Sequence, residues 1–281
     1  MKHQNKSVSE FFNSISSKYD EKYKSDENNF LAHFFGRRIK MATEDLPAHL
    51  GTVMDVGAGT GQLYTFLKEN GYSFDEYIAV DVSGGMLSHS SIPKESRYTG
   101  TVHLSELDSY ESKVNHFFIL GVTTYMSAVE LDEALVRIQQ LSAEKSRLIC
   151  TFTNRKSIEF IMQATISSIL CTFQKILGNR LSMVAAQAFP RLIINEKRMK
   201  AFLAPYGSIE RIDYLNQTLT PFNRIFTRIS IKFESYLTKK LKKWPEVLAV
   251  LSSDVLFKVL LHKHRTTDED RVSTESEPGK T

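Results

Sequence analysis

Cysteine is almost missing: the 281 residues hold two, Cys150 and Cys171. Two thiols without metal-type spacing leave neither a zinc site nor a disulfide framework, so no metal is expected and a reducing compartment is favoured. Long apolar runs are missing as well. No window approaches the roughly 18 uninterrupted apolar residues that a bilayer crossing needs. The N-terminal MKHQNKSVSE lacks the apolar core of a secretory signal. A strong excess of one charge is also lacking. Lys and Arg number 36 against 32 Asp and Glu, a net +4. The resulting pI of about 8.9 permits an anionic partner without demanding one. No internal repeat is visible. A cytoplasmic protein is expected, built as one large domain or a domain with a subdomain.

What is present is alternation. Residues 7–24 have helical spacing, with Val8, Phe11, Phe12 and Ile15 on one side. A second helix is expected from Phe30 to Leu46, ended by Pro47. Thr52 to Val56, Tyr77 to Val82, His116 to Val122 and Arg147 to Phe152 read as buried strands. Between them Gln62 to Asn70, Gly84 to Ser90 and Leu131 to Leu141 read as helices. Strands alternating with helices imply a parallel sheet covered on both faces. After Phe152 a long amphipathic helical stretch runs from Ile158 to Leu177 and on toward Pro190. Strands return at Ser208 to Tyr214 and Val255 to His262. From Thr266 the chain is polar without apolar period, and a disordered tail over 265–281 is expected.

The loop VMDVGAGTGQ, residues 53–62, joins a strand end to a helix start. Glycines there let a ligand lie against bare amides, and the helix N-terminus favours an anionic group. A dinucleotide fingerprint needs G-x-G-x-x-G/A. Counting from Gly57 the sixth position is Gln62, and from Gly59 it is Tyr64, so the nicotinamide pattern is not met. An acid, Asp81, stands at the end of the second strand, 20 residues past Gly61. A carboxylate there can accept both hydroxyls of a ribose.

The segment DVGAGTG resembles the first motif of the class I S-adenosylmethionine (SAM)-dependent methyltransferases. DVSGGML, Asp81 to Leu87, is similar to their second motif. FFNSISSKYDEKY resembles the N-terminal helix of the ubiquinone/menaquinone-type enzymes of that family, and FILGVTTYM the strand end beside the SAM sulfonium. The resemblance covers about Val8 to Phe152. It implies a Rossmann-like, doubly wound α/β fold with a mostly parallel seven-stranded sheet and helical cap insertions. It implies that Gly57, Ala58, Gly59 and Gly61 receive the methionine part of SAM and that Asp55 binds its amino group. Asp81 and Val82 would face the ribose, Met86 the adenine, and Gly121 the sulfonium, with Tyr19 covering the cofactor. The family's adenine-side acid falls near His103 and Leu104, which puts Leu104 at the adenine. Asn115-His116 and Glu144-Lys145-Ser146 stand where the family has Phe-Asp and Gly-Gly.

Methyl transfer from SAM needs position more than acid–base help, but a hydroxyl acceptor needs a base within reach. Tyr125 and His103 are the candidates, with His116 a third that opens a strand and is expected at the surface. Cys150 lies inside a strand and is not a candidate nucleophile. No Asn/Asp-Pro-Pro-Tyr/Phe tetrapeptide is present, which argues against the amino-methyltransferases of nucleic-acid bases. Residues 222–244 form a basic, aromatic-rich block in which Phe233, Leu237, Leu241 and Trp244 share one helical face. The first expectation is a helix packing that face on its own domain. Peripheral membrane contact through 222–244 is the second, and a nucleic-acid patch the third. The expected organisation is a helical lid over 1–48, a SAM-binding core over 49–153, and a helical cap with the last strands over 154–264. The expected function is methyl transfer to a small organic acceptor, a quinone, lipid, natural-product or glycan intermediate. The alternatives are an RNA or protein methyltransferase and a non-catalytic SAM-fold interaction protein.

Overall fold

A computed structural model describes residues 2–22, 29–99, 113–177, 194–219 and 222–262. The expectations for His103, Leu104, the stretch toward Pro190 and the tail lie outside the described residues. Among the described residues seven strands form one sheet: β1 (Thr52–Val56), β2 (Glu76–Asp81), β3 (Arg97–Thr99), β4 (Val114–Ile119), β5 (Ser142–Thr153), β6 (Gly207–Leu215) and β7 (Asp254–Leu261). Their order across the sheet is β3-β2-β1-β4-β5-β7-β6. All neighbouring pairs are parallel except the two made by β7, which runs against β5 and β6. The helices are α1 (Lys2–Tyr19), α2 (Phe30–Thr43), α3 (Gln62–Glu69), α4 (Gly84–Ser88), α5 (Ala128–Leu141), α6 (Ile158–Leu177), α7 (Glu196–Leu203), α8 (Phe222–Ile225), α9 (Thr227–Leu241) and α10 (Pro245–Leu251).

The central strands β1, β2 and β4 are buried at nearly every position and mostly apolar, because both faces of the sheet are covered. Met54, Phe117, Leu148 and Phe257 point into one core with Leu131, Leu135 and Met199 of α5 and α7. Their neighbours Val53, Phe118, Ile149 and Leu256 point into the other, with Phe34 of α2 and Leu63 and Leu67 of α3. Each strand thus feeds two cores by simple alternation.

One local expectation changes, and two local features were not announced by the sequence. Helix α2 stops at Thr43, before Pro47 can act. Glu44 leaves the helical region (ψ 136) and Asp45 adopts a φ of 67. The Lys258 ammonium takes the Glu44 carbonyl, and Tyr72 Oη donates to the Thr43 carbonyl at 3.1 Å. Side chains distant in sequence therefore end the helix. Strand β3 has no apolar run to announce it; its three residues form an edge. Where the sequence offers Glu144-Lys145-Ser146 before the fifth strand, Lys145 itself takes a left-handed φ of 62.

Candidate active site

The strand order reverses between β1 and β4, the place where open α/β sheets bind ligands beyond their strand ends. A cavity of about 490 Å³ lies there. It gathers residues 55–60 at the end of β1 and in the loop beyond, Asp81 and Val82 at the end of β2, Leu120 to Met126 after β4, and Thr151 and Thr153 of β5. Asp254 opens β7 on the same edge, because β7 runs backward. Val8, Phe12 and Tyr19 of α1 and Phe35, Arg38 and Ile39 of α2 line a further wall, with Met86 of α4 and Glu130 and Glu133 of α5 completing it. Helix α1 is tied down by Ser9 Oγ donating to the Val82 carbonyl (2.8 Å) and Ser83 Oγ donating to Asn13 Oδ1 (2.7 Å).

Of the residues named from sequence, Tyr19, Asp55, Gly57, Ala58, Gly59, Asp81, Val82, Met86, Gly121 and Tyr125 all line this cavity. Gly61 does not. It precedes α3 with a φ of 84, and a Cβ there would crowd Ile92 at 3.1 Å, so its task is backbone shape and packing. Gly57 is similar: a Cβ would meet Val122 Cγ2 at 2.1 Å. Gly59 is the least crowded of the three loop glycines: a Cβ there would meet only Met86 Cε, at an ordinary contact distance of 3.6 Å. His116 is corrected. It is buried, not at the surface, and its Nδ1 lies 2.7 Å from the Leu50 carbonyl. Burial holds its pKa below the usual value, partly offset by that carbonyl. It is absent from the cavity wall and serves the core. Cys150 is buried as expected, and burial pushes its thiol pKa up.

Two buried carboxylates define the electrostatics. Burial pushes the Asp55 pKa up to about 7, the Tyr77 hydroxyl donating at 2.7 Å holds it down, and nearby Asp81 raises it again. Asp81 receives the backbone N–H of Gly59 and of Ser83, both at 2.8 Å. Burial raises its pKa and these two donors oppose the rise. Each Asp81 oxygen keeps a lone pair for a ligand hydroxyl.

Sequence reasoning missed Arg38. It is 7% exposed, lies 4.5 Å over the Phe34 ring, and stands 3.9 Å from Asp254. Among the described residues its Nε has no hydrogen-bond partner. Gly121 makes room for it: a Cβ at Gly121 would come within 2.4 Å of Arg38 Nη1. The signal was in the pattern, since Arg38 falls in helical register with buried Phe30, Phe34 and Ala42. After Thr153, Asp254 is the one described residue that lines the cavity. None of α6 to α10 does.

No family model matches the sequence, and no curated protein matches it. Solved structures do. Magnesium protoporphyrin IX methyltransferase from Synechocystis PCC 6803, with bound S-adenosylhomocysteine, is 14% identical over 92% of this chain and 99% of that one, with a TM-score of 0.52. A SAM-dependent methyltransferase from Thermotoga maritima is 11% identical over 90% and 98%, at 0.53. A small RNA methyltransferase is 15% identical over 81% of this chain but 25% of its own, at 0.53. The likeness is one of fold: this chain has the Rossmann-like α/β fold of the class I SAM-dependent methyltransferases.

Proposed function

We propose that the cavity binds SAM and that the protein is a methyltransferase acting on a small organic acceptor. The observation that carries this reading is the joint placement of Asp55, Asp81 and the uncrowded Gly59 on one cavity wall at the switch point of the sheet. The wall charges fit the ligand. Asp55, Asp81, Glu130, Glu133 and Asp254 are acids, and Arg38 is the single cation among the described lining residues. Such a wall suits a ligand with a sulfonium, an ammonium and one carboxylate.

In this reading Asp55 accepts from the amino group, Asp81 accepts the ribose hydroxyls, and Met86 covers the adenine. Gly121 leaves the sulfonium side open. Arg38 on the cavity wall offers its guanidinium to a carboxylate, the group its planar fork matches. When bound, SAM supplies an activated methyl group. Phe12, Phe35 and Tyr125 then exclude water and orient the acceptor; Tyr125 can hydrogen-bond a hydroxyl acceptor, and the carboxylates of Glu130, Glu133 and Asp254 line the same cavity as groups that can take its proton. Segment 1–48 is read as the cover of the site, since α1 and α2 supply one wall.

Calorimetric titration tests the cofactor. SAM and S-adenosylhomocysteine are expected to bind wild type in the micromolar range, about 8 kcal/mol, and to lose that binding in Asp81→Ala and Gly59→Val. A folded wild type that binds neither overturns the reading. A second reading, an RNA or protein acceptor, draws on the cations of residues 222–244. Steeply salt-dependent RNA binding with methyl incorporation into RNA would favour it. SAM binding without turnover on any acceptor would leave a non-catalytic interaction protein.

A further inference from the structure

Helix α9 is turned inside out. Its inward stripe is polar: Thr227, Ser230 and Glu234 are buried. Its outward stripe is apolar: Ile229 is 66% exposed and Phe233 51%. The flanking residues continue the pattern, with Ile225 66% and Trp244 61% exposed. This corrects the expectation that Phe233 and Trp244 pack on the domain; only Leu237 and Leu241 of that face are half-buried. A helix serving its own domain alone would exchange the two stripes, because burying apolar area is what stabilises it.

The helix cannot simply roll over. Glu234 lies 2.5 Å from Arg37 Nη1 and 3.0 Å from His33 Nε2 on α2. Arg37 also donates to Thr238 Oγ1 at 2.8 Å. Rolling α9 would break both ion pairs of Glu234 and leave the half-buried Arg37 guanidinium with Gln217 Oε1 in place of its counter-charge, which opposes the roll. The orientation is built in, and the exposed stripe calls for an external partner.

Charge selects its kind. From Phe222 to Leu251 the chain carries seven Lys and Arg against two acids, Glu234 and Glu246. Glu234 is already spent inside. Lys232, Lys239, Lys240, Lys242 and Lys243 are all exposed. A second copy of this face would set like charge against like. Aromatic and branched apolar residues beside long cationic side chains match a helix lying in a bilayer interface rich in anionic headgroups. No described helix is long and apolar enough to cross a membrane. We propose that the α8–α10 face docks on an anionic lipid surface, with α9 lying flat along it. The inference rests on this surface alone and stands whether or not the cavity binds SAM. It also places the lipid behind α2, whose Phe35, Arg38 and Ile39 form a wall of the cavity.

Sedimentation of the full chain with vesicles tests it. Wild type is expected to pellet with vesicles of phosphatidylcholine mixed with phosphatidylglycerol, weakly with phosphatidylcholine alone, and less as salt rises. Two variants change exposed residues only and are expected to keep the wild-type circular dichroism and melting curve. Ile229→Asp with Phe233→Asp removes the apolar contact, and Lys239, Lys240, Lys242 and Lys243 changed to Gln remove charge. Each is expected to weaken vesicle binding at least about tenfold. No pelleting of wild type, or equal pelleting of all three, overturns the proposal. So does a wild-type dimer that becomes a monomer in Ile229→Asp/Phe233→Asp without vesicle binding, since a second copy then covers the face. Tight binding of single-stranded RNA with no vesicle binding overturns it in favour of nucleic acid.

Discussion

At the scale of residues, Asp55 is a titrating group in the neutral range. Its folded-state pKa near 7 stands above its ordinary 3.8 because the carboxylate is buried beside Asp81, with only Tyr77 Oη opposing. Between those two values the folded chain holds a proton that the unfolded chain has lost. The contribution of Asp55 to ligand-free stability is therefore full below about pH 4 and falls as pH rises to about 7. Binding an ammonium has the opposite sign, because it needs the charged form. SAM affinity is expected to rise with pH up to about 7 and then level, as read by calorimetry. Asp55→Asn should flatten that profile, and Tyr77→Phe, which removes the opposing hydrogen bond, should move its midpoint upward. An unchanged midpoint in Tyr77→Phe would contradict the assignment. Arg38 makes a separate case. Arg38→Met is expected to weaken S-adenosylhomocysteine binding by about 1.5–3 kcal/mol, the worth of hydrogen bonds to a charged group. Binding of 5′-methylthioadenosine, which has no carboxylate, should not change. If both ligands bind Arg38→Met as they bind wild type, the cofactor's carboxylate is not its partner.

At the scale of elements, α2 is the piece that couples the most. One turn of it sends Arg37 outward to Glu234 of α9, and the next residue, Arg38, inward to Asp254 and the cavity. Burial alone would raise the Glu234 pKa, but the His33 hydrogen bond and the Arg37 charge outweigh it and leave it lowered from 4.5. Stability from Glu234 is thus present above about pH 4.5 and lost as pH falls through the lower folded value. Glu234→Ala leaves the partly buried Arg37 without a counter-charge, held only by neutral Thr238 and Gln217. It should cost about 3–5 kcal/mol in urea unfolding at pH 7, and much less at a pH below the folded-state pKa. A cost under about 1 kcal/mol, the range of an exposed pair, would mean that α9 is held by something else. The doublet Arg37-Arg38 was visible in the sequence as two cations. Which one faces the cavity was legible only from the register of Arg38 with Phe30 and Phe34.

At the scale of the whole molecule, the site is assembled from the ends of β1, β2, β4, β5 and β7 and from α1 to α5, pieces spread from Val8 to Asp254. A ligand that bridges them should stabilise the chain as a unit. With SAM at a hundred times its dissociation constant the unfolding free energy should rise by about 2.7 kcal/mol, a shift of several degrees in thermal midpoint. Asp81→Ala should abolish the shift while keeping the fold, because only backbone amides of Gly59 and Ser83 lose their acceptor. A wild-type midpoint indifferent to SAM would count against the cavity as its site.

The sequence by itself determined the strand–helix alternation, the glycine turn after β1 and the acids at the ends of β1 and β2. These are local properties. Apolar runs make buried strands, and positive φ at Gly57, Gly59 and Gly61 needs glycine within a few residues of chain. Only the tertiary structure decided what depends on distant partners. Arg38 became a cavity residue because Gly121, 83 residues later, has no side chain to displace it. His116 became a core residue because the Leu50 carbonyl meets it across the sheet. The stripes of α9 were legible as a pattern, but a 3.6-residue period carries no sign. The cations of α2 set that sign by drawing Glu234 inward and leaving Ile229 and Phe233 outside.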